Sequence, residues 1–468
     1  SQRINALLDE NSFVEIGGLV TARATDFNLK QTETPSDGVV TGYGVIDGSL
    51  VYVYSQDASV LNGSVGEMHA KKIVNLYDLA MKMGAPVIGL IDSAGLRLQE
   101  ATDALNGFGE IYRSQVMASG VIPQITAVFG NCGGGLALIP AMTDFAFMEE
   151  KKAKLFVNSP NALEGNEISR CDTSAAAFQS EETGMVDMVA DEASILAQIR
   201  QLVSILPANN ADYALTDCAD DLNRACAQIA GCVGDTAIAL SQIADDGLFV
   251  EVKQDYAKDM VAGFMRLNGA TVGAVANRTE VYDAEGEVTD KFDAVLSARG
   301  AEKAAEFVTF CDAFDIPVLS LTNVTGFAAT KCAEKRMAKA AGKLTYAFAN
   351  ATVPKVNVII GKAYGSAYVA MNSKALGADI TMAWPNAEIG MMDAKLAAKI
   401  ICDGQGADAI DTCAKEYAAL QNNVTSAARR GYVDQIVEPA DTRKYVIGAF
   451  EMLAAKNEGR PEKKHGTV

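Results

Sequence analysis

"GVIPQITAVFGNCGGGLALIPA", residues 120–141, sets three consecutive glycines, Gly133 to Gly135, directly after a run of β-formers. Glycine costs conformational entropy and packs no side chain. Such a run marks either a tight turn or a place where something approaches the backbone closely. The decision comes from a second stretch. "ATVPKVNVIIGKAYGSAYVAMN", residues 351–372, repeats the pattern, and Pro354 follows Pro123 by the same interval that separates Gly361 from Gly130. Outward from this pair, "GAPVIGLIDSAG" (84–95) matches "DIPVLSLTNVTG" (315–326), and Pro86 and Pro317 keep the interval. Further upstream, "GYGVIDGSLVYVYSQD" (42–57) resembles "GFMRLNGATVGAVANR" (263–278). Gly48 and Gly269 stand at a shorter interval there, and the shortfall fits the polar loop "YDAEGEVTDKF" (282–292). Downstream, "SPNALEG" (159–165) echoes "WPNAEIG" (384–390). Four segments recurring in one order make the chain two copies of a single fold.

Each copy reads alike. A β-hairpin with a Gly turn precedes a helix, which in the first copy is "HAKKIVNLYDLAMKMG", with Ile73, Leu76, Leu79 and Ala80 on one stripe and Gly84 at its end. Then come a short apolar strand, a second helix, another apolar strand, and the Gly-rich turn opening into a small-residue helix. Continuous Val/Ile strands alternating with helices imply sheets covered by helices. The expected class is α/β, in two tandem domains at 1–225 and 226–468. The link between them starts in the polar stretch "LPANNADYAL" (206–215).

Composition narrows the functions open to such a chain. It has 468 residues, 49% of them hydrophobic and 21% charged, with a net charge of -19, which disfavours nucleic acid as a partner. The nine cysteines are scattered, and Cys218, Cys226 and Cys232 show no CxxC pairing, so reduced thiols are expected rather than zinc ligands. With only His69 and His465, a Ser-His-Asp triad or a His-rich metal site is hard to assemble. No apolar run reaches membrane-spanning length and no signal-peptide pattern opens the chain, so a cytoplasmic protein is expected. His69 is expected as a packing or surface residue of its helix. Gln99 to Glu110 is expected as a solvated helix face, and "EGRPEKKHGTV" (458–468) as a flexible or oligomer-contact tail.

The Gly-rich turn sits between strand and helix in both copies. The first N–H groups of a helix lack internal acceptors, and the macrodipole adds partial positive charge there. Such an end can hold an anion, or an oxygen that becomes one during reaction. Close helix–sheet packing also asks for small residues, but it does not ask for two polarising turns at equivalent positions.

These stretches, together with "LLDENSFVEI", "GFGEIYRSQVMASGVIPQI", "GNCGGGLALIPAMTDFAFM", "KALGADITMAWPNAEIGMM" and "ARRGYVDQIVEPADTR", span nearly the whole chain. They resemble the carboxyltransferase subunits of the biotin-dependent acyl-CoA carboxylase and decarboxylase family. The resemblance implies two crotonase-like domains, the first binding the acyl-CoA thioester and the second binding biotin on a separate carrier protein. It implies that the amides of Gly134 and Gly135 polarise the thioester carbonyl, and those of Ser366 and Ala367 the biotin ureido carbonyl. Gly365-Ser366-Ala367 stands where relatives have Gly-Gly-Ala, and a backbone donor survives that change. It further implies that the loop Asp92 to Gly95, reading DSAG against the family's DSGGA, shapes the substrate pocket through Ser93, Ala94 and Gly95, with Gly133 and Gly365 beside the turns. The resemblance places Val369 at a position that helps set acyl size in relatives, and an apolar residue there suits short aliphatic acyl groups such as propionyl and methylmalonyl. Thr325 replaces a usual proline, and a Gly-Ile-Ile stretch is missing beyond it. Arg97 is open between a CoA phosphate contact and a structural ion pair. The implied partners are a biotin carboxyl carrier protein, with a biotin carboxylase or membrane decarboxylase subunits beside it, and further copies of the chain in a dimer or hexamer. No metal is implied. Two other classes are weighed: a crotonase-type hydratase or isomerase drawing on Glu100, Glu110 or Glu164, and a non-catalytic scaffold subunit.

Overall fold

A computed structural model describes residues 1–23 and 32–467. The chain divides into two compact units, Ser1–Ala214 and Leu215–Val468. Residues 215–225, expected in the first domain, pack with the second: the Thr216 N–H donates to Gly269 O at 2.8 Å, and Arg224 holds Asp220 beside the carbonyls of Gln242 and Ala244.

The first unit contains β1 (Val14–Ile16), β2 (Val39–Ile46), β3 (Ser49–Gln56), β4 (Val87–Ile91), β5 (Gln124–Val128), β6 (Asn131–Gly133), β7 (Phe145–Glu149), β8 (Lys154–Phe156) and β9 (Met188–Ala190). Seven of these form one sheet in the order β1-β2-β3-β4-β5-β7-β9, antiparallel through β3 and parallel beyond it, while β6 and β8 pair separately. The helix Glu67–Met83 follows β3 and buries Ile73, Leu76 and Ala80. It ends at Gly84, whose φ of 62° is the left-handed conformation a helix stop favours. Its stripe packs against Tyr54, Val87 and Ile91 of the sheet, within one core.

The second unit repeats the design with β10 (Phe249–Val252), β11 (Met260–Leu267), β12 (Ala270–Asn277), β13 (Glu280–Tyr282), β14 (Val288–Lys291), β15 (Val318–Val324), β16 (Lys355–Tyr364), β17 (Ile380–Ala383), β18 (Glu388–Gly390) and β19 (Gln435–Ile436). The order β10-β11-β12-β15-β16-β17-β19 matches the first sheet position by position. The loop invoked to absorb the extra residues is the hairpin β13–β14, which stands outside the main sheet. The helix Ala298–Ala313 corresponds to Glu67–Met83.

Equivalent fasteners hold both copies. Lys72 reaches from its helix to the carbonyls of Ser36 and Val39. Lys303, at the equivalent position of the second unit, reaches Tyr256 O and Met260 O, both at 2.7 Å. Burial pulls the two ammonium groups down, to about 8 and about 7. At the start of β5 the Gln124 N–H donates to Asp144 Oδ2 at 2.8 Å, just as the Lys355 N–H donates to Asp379 Oδ2 at 2.9 Å. Asp379 is also paired with Lys456 at 2.8 Å. That lysine and Arg460, which donates to Ala351 O, tie the beginning of the C-terminal tail to the second unit.

Burial, reinforced by the nearby Asp187 carboxylate, pushes Asp144 up to about 7. A carboxyl raised in the folded state stabilises the fold when protonated, and that contribution declines as pH climbs from about 4 through 7. Asp144→Asn cannot ionise, and its amide oxygen can still accept from Gln124. Its unfolding midpoint is expected to rise relative to the parent by more at pH 8 than at pH 5, measured by thermal melts in matched buffers. A constant difference across that range would show that Asp144 is already ionised in the folded protein.

Candidate active site

The close approach that calls for glycine is internal to each unit. At the end of β4, Asp92 lies against Gly130, where an added Cβ would sit 2.0 Å from Asp92 Oδ1. At the end of β15, Asn323 lies against Gly361 in the same way, 2.6 Å from a Cβ there. The backbone N–H groups of Asp92 and Asn323 donate to Gln56 Oε1 and Asn277 Oδ1 at 3.1 and 3.0 Å. Beyond these positions the chain takes a new strand partner, outside the main sheet in the first unit and within it in the second. In the first unit β6 pairs with β8, and in the second the far end of β16, at the positions equivalent to β6, pairs with β18.

Each of these strands runs into a helical turn, Gly134–Ala137 in one unit and Gly365–Ala370 in the other. Both turns open on a glycine in the left-handed region, Gly134 at φ 64° and Gly365 at φ 66°. The repeat interval thus pairs Gly134 with Gly365, Gly135 with Ser366 and Leu136 with Ala367. The Ser366–Ala367 amide pair named from the family resemblance is therefore staggered by one residue from Gly134–Gly135. The N–H groups of Gly135, Ser366 and Ala367 lie in the first turn of their helices and have no acceptor within it, whereas the parallel pairing of Gly133 with Phe156 turns the Gly134 N–H toward Phe156 O. Gly135 and Ser366 are exposed, while Leu136 and Ala367 are buried. Leu138 and Val369, another equivalent pair, follow with similar exposure, 40% and 38%.

The loop after β4 is tied to the first turn. The Ser93 N–H donates to Asn131 O at 2.9 Å, and the Ala94 N–H to Asn62 O at 2.9 Å. The Ser93 hydroxyl accepts from the Gly95 N–H at 3.1 Å. A Cβ on Gly95, whose φ is 98°, would lie 3.5 Å from Gly133 O. Ser93 and Gly95 are buried, so Ala94 alone of the three presents a side chain to solvent. Tyr112 was not singled out in the sequence, yet its hydroxyl donates to Gly135 O at 2.6 Å.

Behind this loop lies a buried polar chain. Gln56 spends its carbonyl on Asp92, so its amide NH₂ faces His69 Nε2 at 3.3 Å. That nitrogen must accept, which places the imidazole proton on Nδ1, donating to Asp37 O at 2.9 Å. Burial, with the Arg97 charge adding to it, pulls His69 down to about 3, so the ring stays neutral. Arg97 donates to Asp37 Oδ1 at 2.6 Å and Glu100 Oε2 at 2.7 Å, with all three side chains fully buried. Arg97 is thus a structural ion pair. Glu100 is not part of a solvated face, and it is unavailable to a hydratase mechanism. Glu110 and Glu164 are exposed.

Among the described residues no group of three or more His, Cys, Asp or Glu side chains is arranged to hold a metal ion. All nine cysteines are free. No helix of the described residues is long and apolar enough to cross a membrane.

Each of the two duplicated α/β units thus carries a glycine-led helical turn at the equivalent place after its sheet strand. The carboxyl transferase domain family matches residues 1–468, and the chain belongs to it. It is 39% identical to the methylmalonyl-CoA decarboxylase subunit alpha of Propionigenium modestum, over 100% of this chain and 92% of that one. It is 41% identical to the propionyl-CoA carboxylase beta chain of Roseobacter denitrificans, with the same coverage. Among solved structures, the transcarboxylase 12S hexamer with hydrolysed methylmalonyl-coenzyme A bound superposes with a TM-score of 0.92 at 37% identity, covering 99% of this chain and 91% of that one. The expected α/β class, as two tandem crotonase-like domains, agrees with this likeness.

Proposed function

We propose that the protein moves a carboxyl group between biotin on a carrier protein and the α-carbon of a short-chain acyl-CoA, with methylmalonyl- and propionyl-CoA as the favoured pair. The observation that carries this reading is that both units set a glycine-led helical turn at equivalent positions, its opening N–H groups without an acceptor inside the turn. The methylmalonyl-coenzyme A bound to the transcarboxylase neighbour and the names of the two relatives support the choice of acyl group. Of the pair Gly134 and Gly135, the Gly135 N–H would donate to the thioester oxygen, which gains charge as the α-carbon loses carbon dioxide or a proton. Donors aimed at a developing oxyanion are among the largest catalytic effects known. Ser366 and Ala367 present neutral donors, a set that fits a neutral ureido carbonyl. Biotin, when bound there, supplies or receives the carboxyl group. The Ser93–Gly95 loop, Gly133 and Gly365 shape the approaches, and Leu138 and Val369 border the two turns. A carrier protein and further copies of the chain complete the reading; the transcarboxylase neighbour is itself a hexamer.

Purified protein assayed with a panel of carboxylated CoA esters and free biotin is expected to release carbon dioxide from methylmalonyl-CoA only when biotin is present. Turnover that is indifferent to biotin would overturn the reading in favour of hydrolysis or hydration. The Ser366 hydroxyl makes no hydrogen bond among the described residues. Ser366→Ala is therefore expected to keep its rate within about twofold, the ordinary effect of an exposed substitution. A large loss would assign chemistry to the hydroxyl instead of the N–H.

A further inference from the structure

The first turn is built on residues poorly able to hold their own backbone. Gly134 and Gly135 lack the Cβ that narrows φ and ψ, whereas a donor for a developing oxyanion is most effective when its direction is fixed beforehand. One side chain reaches in from outside. Tyr112, on the helix Ala101–Ala118, donates from Oη to the Gly135 carbonyl at 2.6 Å. Its ring is stacked on Phe108, with centroids 5.9 Å apart and planes inclined by 18°. A Cβ on Gly135 would lie 2.9 Å from that hydroxyl, so the tyrosine fills the space the glycine leaves. In a helical turn the C=O and N–H of one residue point toward opposite ends of the axis. The Gly135 carbonyl shares its peptide plane with the Leu136 N–H and also accepts from the Leu138 N–H; pinning that plane holds the helical form of the turn, in which the Gly135 N–H of the preceding plane points to the open N-terminal end.

The second unit has no such clamp. The repeat interval places Lys343 at the position equivalent to Tyr112; it is exposed, and the Ser366 carbonyl accepts no side-chain hydrogen bond among the described residues. Ser366 has a Cβ of its own to restrict its backbone, which Gly135 lacks. Burial raises the Tyr112 phenol above its ordinary range, so the group remains a donor at any pH suited to the assay.

The geometry points to Tyr112 as a positioning residue for the acyl-CoA turn, holding the peptide after Gly135, and through it the helical form of the turn from which the Gly135 N–H donates, without touching substrate. This rests on the reading of Gly135 as an oxyanion donor. Tyr112→Phe keeps the ring and its stacking and removes only the hydroxyl. With methylmalonyl-CoA and free biotin, kcat is expected to fall roughly tenfold, the worth of about one ordinary hydrogen bond. KM for the CoA ester and the unfolding midpoint should stay at the parent values. An unchanged kcat would overturn the inference. So would a raised KM at constant kcat, which would put the hydroxyl on the substrate, or a lowered midpoint with a matching loss of active protein, which would make it a packing group. Gly135→Val measured alongside separates the two claims. If Gly135→Val is inactive and Tyr112→Phe is normal, only the clamp fails; if Gly135→Val is active, the donor reading itself fails.

Discussion

Gly135→Val is expected to lower kcat for carboxyl transfer by at least about 10²–10³, the loss that follows removal of one oxyanion donor. The added Cβ would meet Tyr112 Oη at 2.9 Å and the Phe108 ring at 3.4 Å. Tyr112 can swing aside only by releasing the Gly135 carbonyl. The β-branch of valine also resists a helical backbone at this point. Both effects rotate the amide away from its target. Gly135 is exposed and lies outside the apolar core, so the fold should survive. Turnover of methylmalonyl-CoA with biotin, beside a circular dichroism melt, checks both halves. A folded variant within tenfold of parent activity would show that this N–H is not a donor to the reacting oxygen.

The second large effect is on stability. Arg97→Met would leave Asp37 and Glu100, both fully buried, facing each other without their shared cation. It would also strip the Ser64 carbonyl of its 2.8 Å donor. Breaking a buried pair by removing one partner costs about 3–5 kcal/mol, or roughly 10 °C in the melting point of a unit this size. Burial already pushes Asp37 up, with Arg97 opposing it. Without the guanidinium Asp37 moves higher still, so the defect should deepen as pH rises and ease in mild acid. Because the triad connects through His69 and Gln56 to Asp92, activity should fall together with stability. A melting point equal to that of the parent, with a raised KM for CoA esters, would instead place Arg97 on a CoA phosphate.

The duplication was legible because spacing survives where side chains do not. Insertions fall in loops, so Gly130 and Gly361, or Pro86 and Pro317, keep one interval through two sheets of identical strand order. The helix stripe of Ile73, Leu76 and Ala80 was legible for the same periodic reason. What stayed hidden was whatever depends on contacts between distant residues. Nothing local in "GNCGGG" shows that β6 leaves the main sheet to pair with β8. Glu100 belongs to a stretch with the polarity of a solvated face, but Arg97 and the Glu67 N–H draw it inward. Tyr112 lies 23 residues from the carbonyl it holds, with no pattern linking the two. The boundary near 215 was displaced because Thr216 bonds to Gly269, far along the chain in the second unit.

If the N–H groups of the two turns are the donors proposed above, the choice bears on how such a protein changes over time. A backbone N–H is common to every residue but proline, so a gene can alter the side chains at these positions while the donors remain. Serine at 366 shows that latitude already. Alanine scanning, which deletes side chains and spares the backbone, would pass over this position almost in silence and score the chemistry as absent. Inheritance at these turns would then constrain conformation more tightly than residue identity. Leucine at 138 and valine at 369 would be free to drift toward new acyl groups without disturbing the donors beside them.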